Sequence, residues 1–484
     1  MTNLSDLFPA GAGKQVSFVA SGTLSNGQAV GLKTDGTVEA ITGAAEGAGT
    51  PAVFSAVTTA YTASTYDSTN NKIVIAYNDG ATSDYGTVIV GTVSGTSISF
   101  GTAVVYNSGS TYFNSAIFDS TNNKVVIAYR DDGNLQYGTA IVGTVSGTSI
   151  SFGTSVVFET AEATDISTTY DSTNGKIVIG YRDKGNSSYG TAVVGTVSGT
   201  AISFGTPVVY ENATSYYTSV TFDSTANKVV IAYRDGGNSD YGTAIVGTVS
   251  GTSISFGTAV VYETANSSWV SATFDSDSNK VVIAYRDGGN SDYGTAIVGT
   301  VSGTSISFGT AVVFEAANQT NYISATFDSN LNKVVIAYRD GGNSNYGTAI
   351  VGTVSGTSIS FGAPVVFETA ETNYISATFD SNLNKAVFSY QDQGNSSYGT
   401  AAVFTVGSTN NTSFIGITDA AISSAASGNV TIKGGIAING LSSLTPGSDY
   451  YAQADGTIST VSTSPAVKIG RAMSATSINL EYQS

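Results

Sequence analysis

A 52-residue unit written seven times constrains this chain more than any other feature. An aspartate preceded by an aromatic recurs at Asp67, Asp119, Asp171, Asp223, Asp275, Asp328 and Asp380, with spacings of 52, 52, 52, 52, 53 and 52 residues. Repeats of this size are supersecondary units that cannot bury their apolar surface alone and must pack on their neighbours. The architecture then depends on what one unit is and on whether the last meets the first.

The fifth copy reads as four strands. Trp269 opens strand A, which runs to Phe274 and ends at Asp275, and residues 275–279 (DSDSN) form a tight turn. Lys280 to Arg286 (KVVIAYR) is a β-branched strand B, followed by turn formers at 287–292. Tyr293 to Val301 is strand C, residues 302–304 turn, and strand D runs roughly from Ser305 to Phe314. No helical period occurs in the copy. Four short antiparallel strands per repeat predict an all-β fold, a seven-bladed β-propeller; a β-solenoid would need a shorter rung.

The ends of the array predict closure. The seventh copy loses the SGTSISFGTAVVF segment after Val406, and a matching piece, Gly49 to Phe54 (GTPAVF against GTPVVY at Gly205 to Tyr210), precedes the first copy. An N-terminal strand is therefore expected to complete the last blade as a clasp that removes exposed edges; Ser413 to Ile415 is the other candidate for that strand. The propeller is expected over residues 49–406. The flanks, 1–48 and 407–484, are expected to form one small discontinuous β-rich module. They share a phrase (KTDGTV at 33–38, QADGTI at 453–458) whose Asp-Gly pairs read as two-residue hairpin turns.

Composition excludes several functions. The chain has no cysteine and no histidine, so thiolate zinc sites and Ser-His-Asp or Cys-His nucleophiles cannot be built. A formal charge of −17 argues against nucleic acid as a partner. No apolar run reaches the ~20 residues that span a bilayer, and Met1 to Gly13 lacks the marks of a secretory signal. No cofactor or metal is expected. The Asp-Gly-Gly-Asn-Ser-Asp runs at 235–240 and 287–292 resemble a calcium loop, but the second aspartate becomes Gln136, Ser188, Asn345 or Ser397 elsewhere and no closing glutamate follows.

In such a blade the A–B and C–D turns share one face and the B–C and D–A loops the other. Gly49 and Val406 fall on the first, so the flanks are expected there and the loop face looks outward. On that face five of the six arginines hold one repeat position, Arg130, Arg182, Arg234, Arg286 and Arg339, each followed by an aspartate. Asn78 and Gln391 replace the arginine in the first and seventh copies. Six residues before the strand-A aspartate stands an aromatic in six copies, Tyr61, Phe113, Tyr217, Trp269, Tyr322 and Tyr374, and Asp165 in the third. The D–A loops vary most between copies, as binding loops on a uniform scaffold do. Two readings stay open. The Arg-Asp pairs are salt bridges between blades or staples of a loop, and the aromatics are packing residues or flat faces for a sugar. The lysines opening strand B, from Lys72 to Lys385, are expected to pair with the strand-A aspartates across the hairpin. No enzyme is expected, because the carboxylates recur once per copy and the exceptions, Glu162, Asp165 and Glu371, have no recognisable partner.

The flanks carry a resemblance. Leu7 to Ile41 (LFPAGAGKQVSFVASGTLSNGQAVGLKTDGTVEAI), Phe414 to Gly435 and Leu444 to Leu480 (with LTPGSDYYAQADGTIST and VKIGRAMSATSINL) resemble virion structural and tail-fibre-like proteins of tailed phages. That family brings no catalytic residues. The resemblance implies a homo-oligomeric virion component, assembled in the host cytoplasm. Its residues 1–48 and 407–484 would attach to capsid, neck or tail proteins, and its distal domain would meet a host surface glycan. The expected function is accordingly a non-enzymatic virion structural protein displaying a propeller for adhesion by avidity. The alternatives are a free glycan-binding lectin and, third, a propeller glycosidase.

Overall fold

The computed structural model describes residues 14–33, 35–41, 43–409, 414–453, 457–460 and 467–481. Met1 to Gly13, Ser413 and the Asp455-Gly456 turn lie outside the described residues. The chain divides into two units, residues 47–406 and residues 1–46 with 407–484.

The larger unit is all-β, built of seven repeated antiparallel units. In the fifth, Lys280–Asp287 is strand B and Tyr293–Ser302 strand C, paired from Val281↔Gly299 to Asp287↔Tyr293. β-Branched side chains fill the buried centre of strand B. The A–B turn is closed by Asp275, whose Oδ1 accepts from the amides of Asp277 (3.0 Å) and Ser278 (2.9 Å), while Asn279 takes φ +56°. The same carboxylate-to-amide turn recurs at Asp67, Asp119, Asp171, Asp223, Asp328 and Asp380. The expected lysine–aspartate pairing across the hairpin holds in strand register in every unit. Lys280 stands opposite Asp275 in register, but the carboxylate is directed to the turn, and Lys176 in the third unit donates to Thr196 Oγ1 at 2.9 Å.

Strand D differs from expectation. It is two pieces on one edge of strand C: Ser305–Phe308 pairs with Ser302 back to Gly299, and Val312–Glu315 pairs with Ala296 and Thr295. Between them the Gly309 amide donates to the Val298 carbonyl at 2.9 Å, holding the break against strand C. No D–A loop follows in six of the seven units; the second piece continues without interruption into the next strand A, as in Val260–Asp275. The exception is residues 316–319, between Val312–Glu315 and Thr320–Asp328. That break holds the extra residue of the 53-residue spacing.

Pairing also joins the ends of the array. Ala52–Asp67 pairs through Ala52, Val53 and Ser55 with strand Tyr398–Thr405 of the last unit, and through Thr59 to Asp67 with Lys72–Asp79 of the first. Gly47–Ala48 adds pairs to Phe404 and Thr405. Phe414–Thr418 belongs instead to the terminal unit.

Each core is shared between consecutive units, as the repeat demands. Val178, Ala192 and Val194 of the third unit pack with Val220, Phe222, Val229 and Ile231 of the fourth. Ile73, Ile75 and Tyr77 of the first pack in the same way with Val387, Ala401 and Val403 of the seventh.

The terminal unit holds two five-stranded sheets. One interleaves both flanks in the order Gln15–Val19, Ser427–Ile432, Phe414–Thr418, Ala29–Leu32, Val38–Ala40, and its Asp35-Gly36 turn joins the last two strands. The other is formed by strands between Ile436 and Leu480. Among the described residues no helix is long and apolar enough to cross a membrane.

Candidate functional site

The site originates in a bulge. In the fifth unit the A–B register runs Ser268↔Arg286 and resumes at Ser271↔Ala284, so Trp269 and Val270 together oppose Tyr285. The first bulge residue, Trp269, has φ +52°. A bulge of this geometry ordinarily places glycine there, and an L-residue in the left-handed region costs on the order of 1–2 kcal/mol. Yet the equivalent residues Tyr61, Phe113, Asp165, Tyr217, Tyr322 and Tyr374 all lie between φ +49° and +53°. Bulges re-aim side chains, and seven in register converge on one cavity of about 600 Å³.

Six of these residues form an unbroken aromatic arc. Ring centroids lie 5.3 Å apart for Phe113–Tyr61, 4.8 Å for Tyr61–Tyr374, 5.3 Å for Tyr374–Tyr322, 4.3 Å for Tyr322–Trp269 and 5.3 Å for Trp269–Tyr217. All are half-buried. The packing and ligand readings therefore do not compete, since the rings pack on one another and still present surface to the cavity. Burial pushes the Tyr61 hydroxyl up to about 12, and burial likewise raises those of Tyr322 and Tyr374. They remain neutral donors and acceptors at physiological pH.

Asp165 supplies the polar sector. Its Oδ1 accepts from the Tyr217 amide at 3.0 Å, and its Oδ2 lies 3.2 Å from Arg182 Nη2. That second contact is an ion pair without hydrogen-bond alignment, so the buried Oδ2 keeps unused accepting capacity. Arg182 and Arg234 both line the cavity and both lie against the Tyr216 ring, with Cζ 4.7 Å and 4.3 Å from its centroid.

The five arginines do not act as one set. Arg130, Arg286 and Arg339 stand beside the arc but are not among the cavity-lining residues. Arg130 grips Asp132 with two hydrogen bonds (2.7 and 3.2 Å) and reaches Glu162 at 3.2 Å. Arg286 donates to Asn321 Oδ1 at 2.7 Å, and Arg339 binds Glu371 at 3.0 Å. The aspartate following each arginine has a separate task. Asp235, Asp287 and Asp340 accept from the amides of Gly237, Gly289 and Gly342, each at 2.9 Å. Of the two sequence readings, the loop staple therefore describes these aspartates, and the arginines find other carboxylates. Glu162, Asp165 and Glu371, partnerless in the sequence, each face a cation.

The sequence reading missed Tyr216 and the second bulge residues Thr62, Asn114, Ile166, Ile323 and Ile375, all of which line the cavity. Strict alternation along a strand hides them, because only the bulge brings two consecutive side chains to one place. A second cavity, of about 640 Å³, lies in the terminal unit among Ser25, Asn26, Gln28, Ser442 and Ser443, and no charged residue among the described ones lines it.

No family model and no curated protein matches this sequence. Solved structures do match by shape. The BP39L lectin from Burkholderia pseudomallei aligns with a TM-score of 0.51 at 12% identity, over 73% of this chain and 98% of that one. A protein of unknown function from Dyadobacter fermentans aligns with a TM-score of 0.46 at 10% identity, over 76% of this chain and 99% of that one. The first likeness shows a shared fold across the repeat-sized part of the chain. The second is too weak to argue from.

Proposed function

We propose that the protein is a non-enzymatic glycan-binding lectin: its seven units close into a seven-bladed β-propeller, and the bulge residues ring the mouth of its axis as a carbohydrate site. The observation that carries this reading is the arc of six half-buried aromatic rings held at positive φ around one cavity. Backbone strain repeated at seven positions is retained where the surrounding structure uses it. Half-exposed Tyr and Trp offer apolar faces with polar edges, the combination a sugar ring presents in return. A cavity of this size suits one or two sugar residues. Closure is supported by the last unit pairing with Ala52–Ser55 and by the core shared between the first and seventh units. The shape likeness to a lectin agrees with this reading.

A place on a virus particle, expected from the terminal phrases, has no support from the comparisons and remains a proposal about setting rather than activity. Homo-oligomeric display on a surface would add avidity to the same site.

Binding of the full chain to an immobilised glycan array, beside a Trp269→Ala/Tyr322→Ala variant, tests the proposal. Retention of a defined glycan set by the parent chain and its loss in the variant is the expected result. Equal retention by both would remove the aromatic arc from the site, and no retention by either would remove the lectin reading.

A further inference from the structure

Resting on the carbohydrate reading, we infer that the cavity selects an acidic sugar, one carrying a carboxylate, with Arg234 as its anchor and Asp165 as the group that limits its affinity. The lining charges are two cations, Arg182 and Arg234, and one anion, Asp165. A net positive lining is notable in a chain of formal charge −17. Arg182 is already committed, with Nε donating to Thr164 Oγ1 at 2.8 Å and Nη2 against Asp165.

Arg234 is held more loosely, by a 3.5 Å ion pair to the part-exposed Asp240. Its guanidinium carbon lies 4.3 Å from the Tyr216 ring centroid, and Nη1 donates to Ser268 Oγ at 3.3 Å. Its buried Nε has no hydrogen-bond acceptor. The nearest carboxylate, Asp240, is 3.5 Å from that Nε, 43% exposed at its side chain, and outside hydrogen-bond geometry. A guanidinium is donor-only and matches a carboxylate through two parallel bonds. Arg234 therefore lines the cavity with an Nη2 that makes no hydrogen bond, beside the Tyr216 and Tyr217 rings, while its Nε is buried. Trp269 and Tyr217 flank the same sector, 5.3 Å apart, and give the sugar ring its apolar face.

Asp165 completes the argument, because it both holds Arg182 and repels a second carboxylate. Asn at this position can still accept from the Tyr217 amide, but it removes the negative charge and releases Arg182. Asp165→Asn is thus expected to strengthen binding, an outcome that a merely structural residue would not produce.

The test is calorimetric titration of the full chain with glucuronic acid, galacturonic acid and N-acetylneuraminic acid, each as free acid and as methyl ester, alongside neutral sugars. The acid is expected to bind its best match about tenfold or more tightly than the ester. Arg234→Gln should abolish that preference, and Asp165→Asn should tighten the acid several-fold, as expected for removing a nearby like charge. Acid and ester binding equally well would overturn the inference while leaving the carbohydrate reading standing. Asp165→Asn weakening the acid would overturn it too. If no sugar binds, acidic or neutral, the carbohydrate reading fails and takes this inference with it.

Discussion

The amide of Ser64 donates to Ser376 Oγ at 2.9 Å although 312 residues separate them. The same bond recurs between consecutive units, from Thr168 to Ser115, Val220 to Ser167, Ala272 to Ser219, Ala325 to Ser271 and Ala377 to Ser324, each at 2.9 or 3.0 Å. The first unit has Ala63 where the others have serine, so the corresponding rung to the second unit lacks its acceptor.

These rungs give a test of the seam. Ser376→Ala leaves a buried amide without its partner and should cost about 1–2 kcal/mol. Ala63→Ser supplies the missing acceptor and should raise stability by about 0.5–1.5 kcal/mol. Urea denaturation of both variants reads the two signs.

Bulge strain predicts an inverted preference at Tyr374, where φ is +51°. In an ordinary strand, glycine is less stable than alanine. Here Tyr374→Gly should be more stable than Tyr374→Ala by about 1 kcal/mol, because only glycine enters the left-handed region freely. Chemical denaturation of the two variants decides it, and the usual order would show that the bulge relaxes.

The repeat, its strand order and its turn chemistry were legible in the sequence because they depend on local pattern: β-branched runs for strand B and Asp-Ser turns before it. The candidate positions, Trp269 and its equivalents, were legible as a column, and Asp165 as its exception. Their role was not, since alternation predicts a continuous strand and gives no sign that Trp269 and Val270 share one partner. The division of labour between Arg286 and Asp287 was equally hidden. Adjacent opposite charges suggest a pair, but neighbouring strand residues point to opposite faces.

Acidic pH should stabilise the repeat unit. Burial holds the carboxyls of Glu211, Glu263 and Glu368 above the usual range, although each receives a tyrosine hydroxyl from Tyr233, Tyr285 or Tyr390 at 2.8–3.0 Å. Burial raises the neighbouring Asp235, Asp287 and Asp392 as well. A raised carboxyl binds its proton better in the folded state, so its contribution is full below the unfolded value of about 4 and is lost as pH rises through the folded value. Thermal unfolding should occur at a higher temperature near pH 5 than near pH 7.5. A Glu211→Gln/Glu263→Gln variant, which keeps both tyrosine acceptors, should narrow the difference.

Strand C tolerates no side chain at Gly294. A Cβ there would stand 2.5 Å from Phe314 Cε2 and 3.0 Å from Thr320 Oγ1. Gly294→Ala should cost about 1–3 kcal/mol through overpacking, measurable as a lower denaturation midpoint with an unchanged slope.

Trp269 is the chain's one tryptophan and sits within the aromatic arc, so it reports directly on the proposed site. The most direct measurement is its emission while the full chain is titrated with a glycan retained on the array, with calorimetry run in parallel. The account predicts a saturable change in emission that tracks the heat of binding, with one glycan bound per chain. Heat of binding with unaltered Trp269 emission, or a stoichiometry near one glycan per repeat, would place recognition elsewhere and contradict it.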